Sequence, residues 1–190
     1  MFAAPLRLVG FVTLSTLAFA TPALAQTSAP VFEVFAGYSL LPADEQDDFP
    51  RKTSHGGQVS VAANFSSWFG LFADFGVQFN TATYPDPVYE GVVARSTVRE
   101  YFVGPRFTAR SERVDLFAHG LFGLVQGDAG EDFSGFSDSG LSLGGGGGVD
   151  VRVHRRLAVR AQVDLIGAFV DIVETNSRLA LGLVARIGGS

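Results

Sequence analysis

The stretch that decides the fold is Leu157-Ala158-Val159-Arg160-Ala161-Gln162-Val163-Asp164-Leu165-Ile166-Gly167-Ala168-Phe169. In an extended chain successive side chains point to opposite faces. One face of this stretch reads Leu157, Val159, Ala161, Val163, Leu165, Gly167, Phe169, with no charge. The other reads Ala158, Arg160, Gln162, Asp164, Ile166, Ala168, a mixture of charge, small residues and one large aliphatic. A strand of a water-exposed sandwich would fill its second face with Lys, Glu, Thr and Ser. The whole chain has one Lys, Lys52, and it lies between strands. The pattern predicts a strand with hydrocarbon on its apolar face and a packed, partly charged interior on the other.

Working outward, the same period of two recurs over 31–40, 57–65, 69–79, 99–108, 114–126, 141–153 and 178–187, which makes eight strands. The connections alternate between long (41–56, 80–98, 127–140) and short (66–68, 109–113, 154–156), and 170–177 is of moderate length. Outer-membrane barrels alternate in this way, with short periplasmic turns and longer outer loops. In hydrocarbon every backbone N–H and C=O must be paired within the protein, so such a set of strands has to close. The expected fold is therefore all-β, an eight-stranded antiparallel up-and-down transmembrane β-barrel. Its interior would carry Glu33, Asp74, Glu100, Asp115, Asp150 and Asp164 against Arg106, Arg152, Arg160, Arg178, Arg186 and His119. Six acids against five arginines and one histidine predict a structural network across a plugged lumen, because unpaired charge there is costly. Pro105 cannot donate to a ladder, so a bulge or a rim position is expected there.

Composition bounds the rest. The chain has 190 residues, a net charge of -5, 23 Gly, 18 Phe and no Cys, and a mean hydropathy of +0.26. Without Cys there is no disulfide framework, thiolate metal site or Cys nucleophile. The acidic balance argues against nucleic acid as a partner. Arg7, an apolar run to Ala20 and Ala23-Leu24-Ala25 before Gln26 predict a cleaved signal peptide over 1–25 and an exported barrel domain over 26–190.

Five stretches carry a family resemblance: Phe32-Glu33-Val34-Phe35-Ala36-Gly37-Tyr38-Ser39, Tyr101-Phe102-Val103-Gly104-Pro105-Arg106-Phe107, Phe117-Ala118-His119-Gly120, Gly146-Gly147-Gly148-Val149-Asp150-Val151 and the run from Arg178 to Ile187. The chain resembles the small outer-membrane β-barrel proteins of the OmpA/OmpX size class, in the branch described as an outer-membrane β-barrel domain. The resemblance implies residence in the outer membrane among its lipids and insertion by the barrel-assembly machinery. The family usually ends its last strand on an aromatic residue; here Ile187 is followed by Gly188-Gly189-Ser190.

The chemistry is sparse. His119 among lumenal carboxylates raises the question of a Ser-His-acid site, as in barrel enzymes that modify lipid A. No Ser lies two residues away, and its neighbours Phe117 and Leu121 are apolar. His55 reads as a solvated loop residue and His154 as a turn residue, and three dispersed histidines give no zinc spacing. Gly144–Gly148 lacks the Lys-Ser/Thr of a phosphate loop; on a strand it lets a bulky neighbour come close. Asp44, Glu45, Asp47, Asp48, Asp86, Glu90, Asp128, Glu131, Asp132, Asp138, Asp171 and Glu174 fall on the long-loop side, where divalent cations bridging to lipid phosphates are the functional reading and solvated charge the plain one. Arg110, Arg113, Arg155 and Arg156 fall on the short-turn side. The expected function is a monomeric, non-enzymatic barrel of structural or surface-binding role, with no cofactor. A lipocalin-like exported barrel for a small apolar ligand is the alternative, and a lipid A-modifying enzyme the third.

Overall fold

Strands whose outward face is apolar can bury it only against lipid, and closure removes the open edges that lipid would not tolerate. The computed structural model, which describes residues 29–42, 53–83, 93–129, 137–170 and 172–188, is a closed barrel of eight antiparallel strands in sequence order. They are β1 (Phe32–Leu41), β2 (Ser54–Asn64), β3 (Phe69–Thr83), β4 (Val93–Arg110), β5 (Val114–Ala129), β6 (Ser137–His154), β7 (Leu157–Val170) and β8 (Ile172–Ile187). Closure runs from Phe32↔Ile187 to Leu40↔Leu179. Among the described residues there is no helix long and apolar enough to cross a membrane. The segment read as a signal peptide lies outside the described residues.

The faces separate as the alternation requires. Phe75, Tyr101, Val103, Phe122, Leu143, Val163, Leu165, Leu181 and Leu183 are exposed on the outer wall. Inside, Phe35, Phe72, Phe102, Phe117, Leu121, Ile166 and Val184 are buried together with acids, arginines and glutamines. A lipocalin needs the inverse arrangement, with an apolar cavity inside and polar groups outside.

Three features differ from the sequence expectation. First, the strands run further at the long-loop end. β4 begins at Val93, β6 at Ser137 and β8 at Ile172, and the 170–177 connection closes almost at once through Val170↔Ile172. Asp128, Asp138 and Glu174 therefore lie on strands rather than in loops; Asp44, Glu45, Asp47, Asp48, Asp86, Glu90, Glu131, Asp132 and Asp171 lie outside the described residues. Above the hydrocarbon both faces can be polar, so pairing continues where the hydrophobic alternation has stopped. Second, Pro105 sits in mid-strand without a bulge. The β4–β5 ladder is interrupted at Gly104 and Pro105, and the same register holds on either side, at Val103↔Phe122 and Arg106↔His119. The tight approach is at Gly104, where a Cβ would stand 1.9 Å from Gly120 O; one on Gly120 would meet the Pro105 ring at 3.6 Å, an ordinary contact. Third, His55 is a β2 residue whose Nδ1 lies 2.5 Å from Tyr38 Oη.

The apolar band has marked ends. At the short-turn end Trp68 stacks on Phe107 (6.1 Å between centroids, 15° between planes), and Phe69 lies 5.6 Å from Phe107. Such aromatic girdles mark the membrane interfaces of these barrels. At the other end Arg99 is paired with Asp128, both partly exposed, on the faces that carry Tyr101 and Leu124. Phe75, within the band and 5.1 Å from the Tyr101 ring, offers a direct test. Phe75→Arg should lower barrel stability by about 2–4 kcal/mol, the cost of Arg near the bilayer midplane, read as lost heat-modifiable mobility in the membrane fraction. Normal insertion of the variant would contradict the assignment of this face to lipid.

Candidate functional site: a charged lumen

Register decides which charges meet. Asp150 and Arg160 are direct cross-strand partners on β6 and β7, as are Asp164 and Arg178 on β7 and β8 and Glu33 and Arg186 on β1 and β8. Ten of the twelve residues expected in the lumen are buried: Glu33, Asp74, Glu100, Arg106, Asp115, His119, Asp150, Arg160, Asp164 and Arg178. Arg152 and Arg186 are partly buried near the short turns.

The charges form two clusters rather than one continuous network. In the half nearer the short turns, Arg160 donates to both oxygens of Asp150, Nε at 2.7 Å and Nη2 at 2.8 Å. Two parallel hydrogen bonds of this kind fix geometry as well as charge. Arg106 bridges Glu33 (2.8 Å) and Asp150 (3.2 Å). Asp115 accepts from Arg152 at 2.6 Å and Arg186 at 2.7 Å. Arg110, assigned from sequence to a turn, is part of this cluster: its Nη1 reaches Glu33 Oε1 at 2.8 Å and Asp115 Oδ2 at 3.2 Å. Its signal was parity, since Arg106, Thr108 and Arg110 share one face once β4 is extended by two residues.

In the half nearer the long loops, Arg178 is the hub. It contacts Asp74 at 2.9 Å, Glu100 at 3.0 Å and Asp164 at 2.7 Å. Asp164 also meets His119 Nε2 at 2.8 Å and accepts from Gln162 at 2.8 Å; Gln58 donates to Asp74. Between the clusters lies Phe117. Its ring takes the Arg106 guanidinium at 4.3 Å and that of Arg160 at 4.5 Å, and lies 5.7 Å from the His119 ring. Phe72 covers His119 from another side at 4.7 Å. Cations over aromatic faces gain electrostatically, more so where water is excluded.

The glycine run has a steric reason here. A Cβ on Gly146 would collide with the Asp164 carboxylate and stand 2.8 Å from His119 Nε2, and one on Gly148 would stand 2.7 Å from the Phe117 ring. On β3, a Cβ on Gly76 would stand 2.7 Å from Glu100 Oε2. Among the described residues no group of His, Asp and Glu could hold a metal ion. The imidazole of His119 is taken up by a carboxylate and two aromatic rings.

The chain belongs to the family of the outer membrane protein beta-barrel domain, whose model matches residues 11–184, and its place is the cell outer membrane. The fold is similar to that of several solved barrels at low sequence identity. Ail, the attachment invasion locus protein of Yersinia pestis, solved with the heparin analogue sucrose octasulfate, has a TM-score of 0.57 at 17% identity, covering 82% of this chain and 96% of that one. Neisserial surface protein A has a TM-score of 0.62 at 10% identity, covering 82% and 96%. OprG from Pseudomonas aeruginosa has a TM-score of 0.60 at 9% identity, covering 84% and 97%. No curated protein matches the sequence significantly.

Removing one member of a buried ion group leaves the others uncompensated, at a cost of about 3–5 kcal/mol. Arg178→Met strands three carboxylates, so it should lower the urea midpoint by an amount in that range, whereas Arg155→Gln on an exposed turn should change it little. Arg160→Met should also destabilise, and adding Asp150→Asn should cost about 1 kcal/mol less than the sum of the two single changes. Strict additivity at Arg160 and Asp150 would remove the case for a coupled pair.

Proposed function

We propose that the protein is a non-enzymatic outer-membrane barrel with a plugged lumen and a structural or surface-binding role. The observation that carries this reading is the Arg178 hub, whose guanidinium holds carboxylates from β3, β4 and β7 together across the interior. An eight-stranded barrel has an interior just wide enough for side chains to fill, and here Phe35, Phe72, Phe102, Phe117 and Ile166 share it with the ion clusters. The His119 environment favours a structural role over a catalytic one, because Phe72 and Phe117 flank a ring already engaged by Asp164. The acidic long-loop side is the part offered to the exterior. Export through a cleaved signal peptide over 1–25, insertion by the barrel-assembly machinery and a monomeric barrel complete the proposal.

Purified barrel in planar bilayers tests it. The expected result is no large, steady conductance, and the same silence after Arg178→Lys, which keeps the charge at the hub. A stable conductance of porin size would refute the plug.

A further inference from the structure

Positive charge is gathered at one end of this barrel. In the lumen half nearer the short turns, Arg106, Arg110, Arg152, Arg160 and Arg186 face only Glu33, Asp115 and Asp150 as ionic partners. Beyond them the turns add Arg113, Arg155 and Arg156, all exposed, and among the described residues no carboxylate lies within salt-bridge distance of these three. Of turn residues 65–68, 111–113 and 155–156, Glu112 alone carries a carboxylate. The opposite lumen half has three carboxylates on one arginine and His119.

The three turn arginines also sit at a defined depth. Arg113 directly precedes Val114, and Arg155 and Arg156 lie between Val153 and Leu157; all three apolar residues are exposed on the outer wall. At about 3.3 Å per strand residue, the guanidinium groups emerge within one or two residues of the hydrocarbon edge. The exposed aromatics Phe65, Trp68 and Phe107 lie at the same end. The turn backbones are already occupied, with Arg113 O accepting from Arg152 N at 2.8 Å and Arg156 O from Arg186 N at 2.9 Å. Beside the one Glu112 carboxylate, the charge that these turns present to the membrane surface is therefore guanidinium.

We propose that this rim is a binding surface for anionic phospholipid headgroups at the membrane interface on the short-turn side. Guanidinium donors suit phosphate oxygens, and basic residues at an anionic membrane surface each raise local lipid binding by about fivefold. The proposal rests on the membrane-spanning fold and is independent of whether the lumen is plugged. It fixes the barrel's depth, because arginines at headgroup level resist both withdrawal into hydrocarbon and drift into water.

Trp68 is the one tryptophan in the chain, and it lies on this rim, where Arg110 Nε donates to Ser67 O at 2.9 Å and ties its turn to the Arg113 turn. The full-length protein is refolded into vesicles of equal phosphatidylglycerol and phosphatidylcholine with matched chains, and one lipid at a time carries brominated chains. Brominated phosphatidylglycerol should quench Trp68 more strongly, corresponding to a local enrichment of at least about fivefold. The preference should vanish near 1 M salt, where the screening length falls to about 3 Å, and in the Arg113→Gln, Arg155→Gln, Arg156→Gln triple variant, with heat-modifiable mobility checking its fold. If the triple variant does not refold, Arg113→Gln alone should reduce the preference. Equal quenching by the two lipids in the wild type, or a preference that survives salt or the substitutions, overturns the proposal. So does rim-dependent binding of a soluble anionic peptidoglycan fragment without any lipid preference.

Discussion

Backbone hydrogen bonding in a medium without water is the constraint on which the rest of this molecule depends. Each N–H and C=O facing hydrocarbon must find a partner inside the protein, and eight strands do so by joining β1 to β8. Closure then forces every strand to place one face in lipid and the other in a narrow lumen. The interruption at Gly104 and Pro105 is tolerated because it is confined to two residues and the ladder resumes in register at Arg106↔His119. The wall stays closed despite the lost donor.

A narrow lumen turns charge into structure. Charges removed from water are costly unless paired and hydrogen-bonded, and this interior pairs its buried charges in two clusters of different character, leaving Arg106 Nε, Arg110 Nη2 and Arg152 Nε without a hydrogen-bond partner among the described residues. One is rich in arginine and lies near the short turns; the other is rich in carboxylate and hangs on Arg178. Aromatic rings stand between them, with Phe117 touching arginines of the first and the histidine of the second. Glycines on β6 and β3 supply the volume these large groups need. The lumen thus carries an axial separation of charge that continues onto the rim, with its basic end at the end that carries Trp68 and Phe107.

Strand number, strand order, facing and the membrane environment were legible in the sequence, because side-chain parity has a period of two and the apolar face of 157–169 carries no charge. Parity also assigned Glu33, Asp74, Glu100, Arg106, Asp115, His119, Asp150, Arg152, Arg160, Asp164, Arg178 and Arg186 to the interior, since a residue's face needs no knowledge of its neighbours across the sheet. Strand ends at the outer side were not legible: beyond the hydrocarbon both faces are polar and the alternation that reveals a strand disappears. Arg110 was missed for a related reason, as it stands where the last lumenal position of β4 merges with a turn. What only the tertiary structure decided is which charges meet. Register pairs Asp150 with Arg160 and Asp164 with Arg178, and the curvature of the closed wall brings Glu100 of β4 to Arg178 of β8, 78 positions apart. Those pairings depend on the stagger between strands and on side chains meeting across the lumen, and neither is written in the alternation of a single strand.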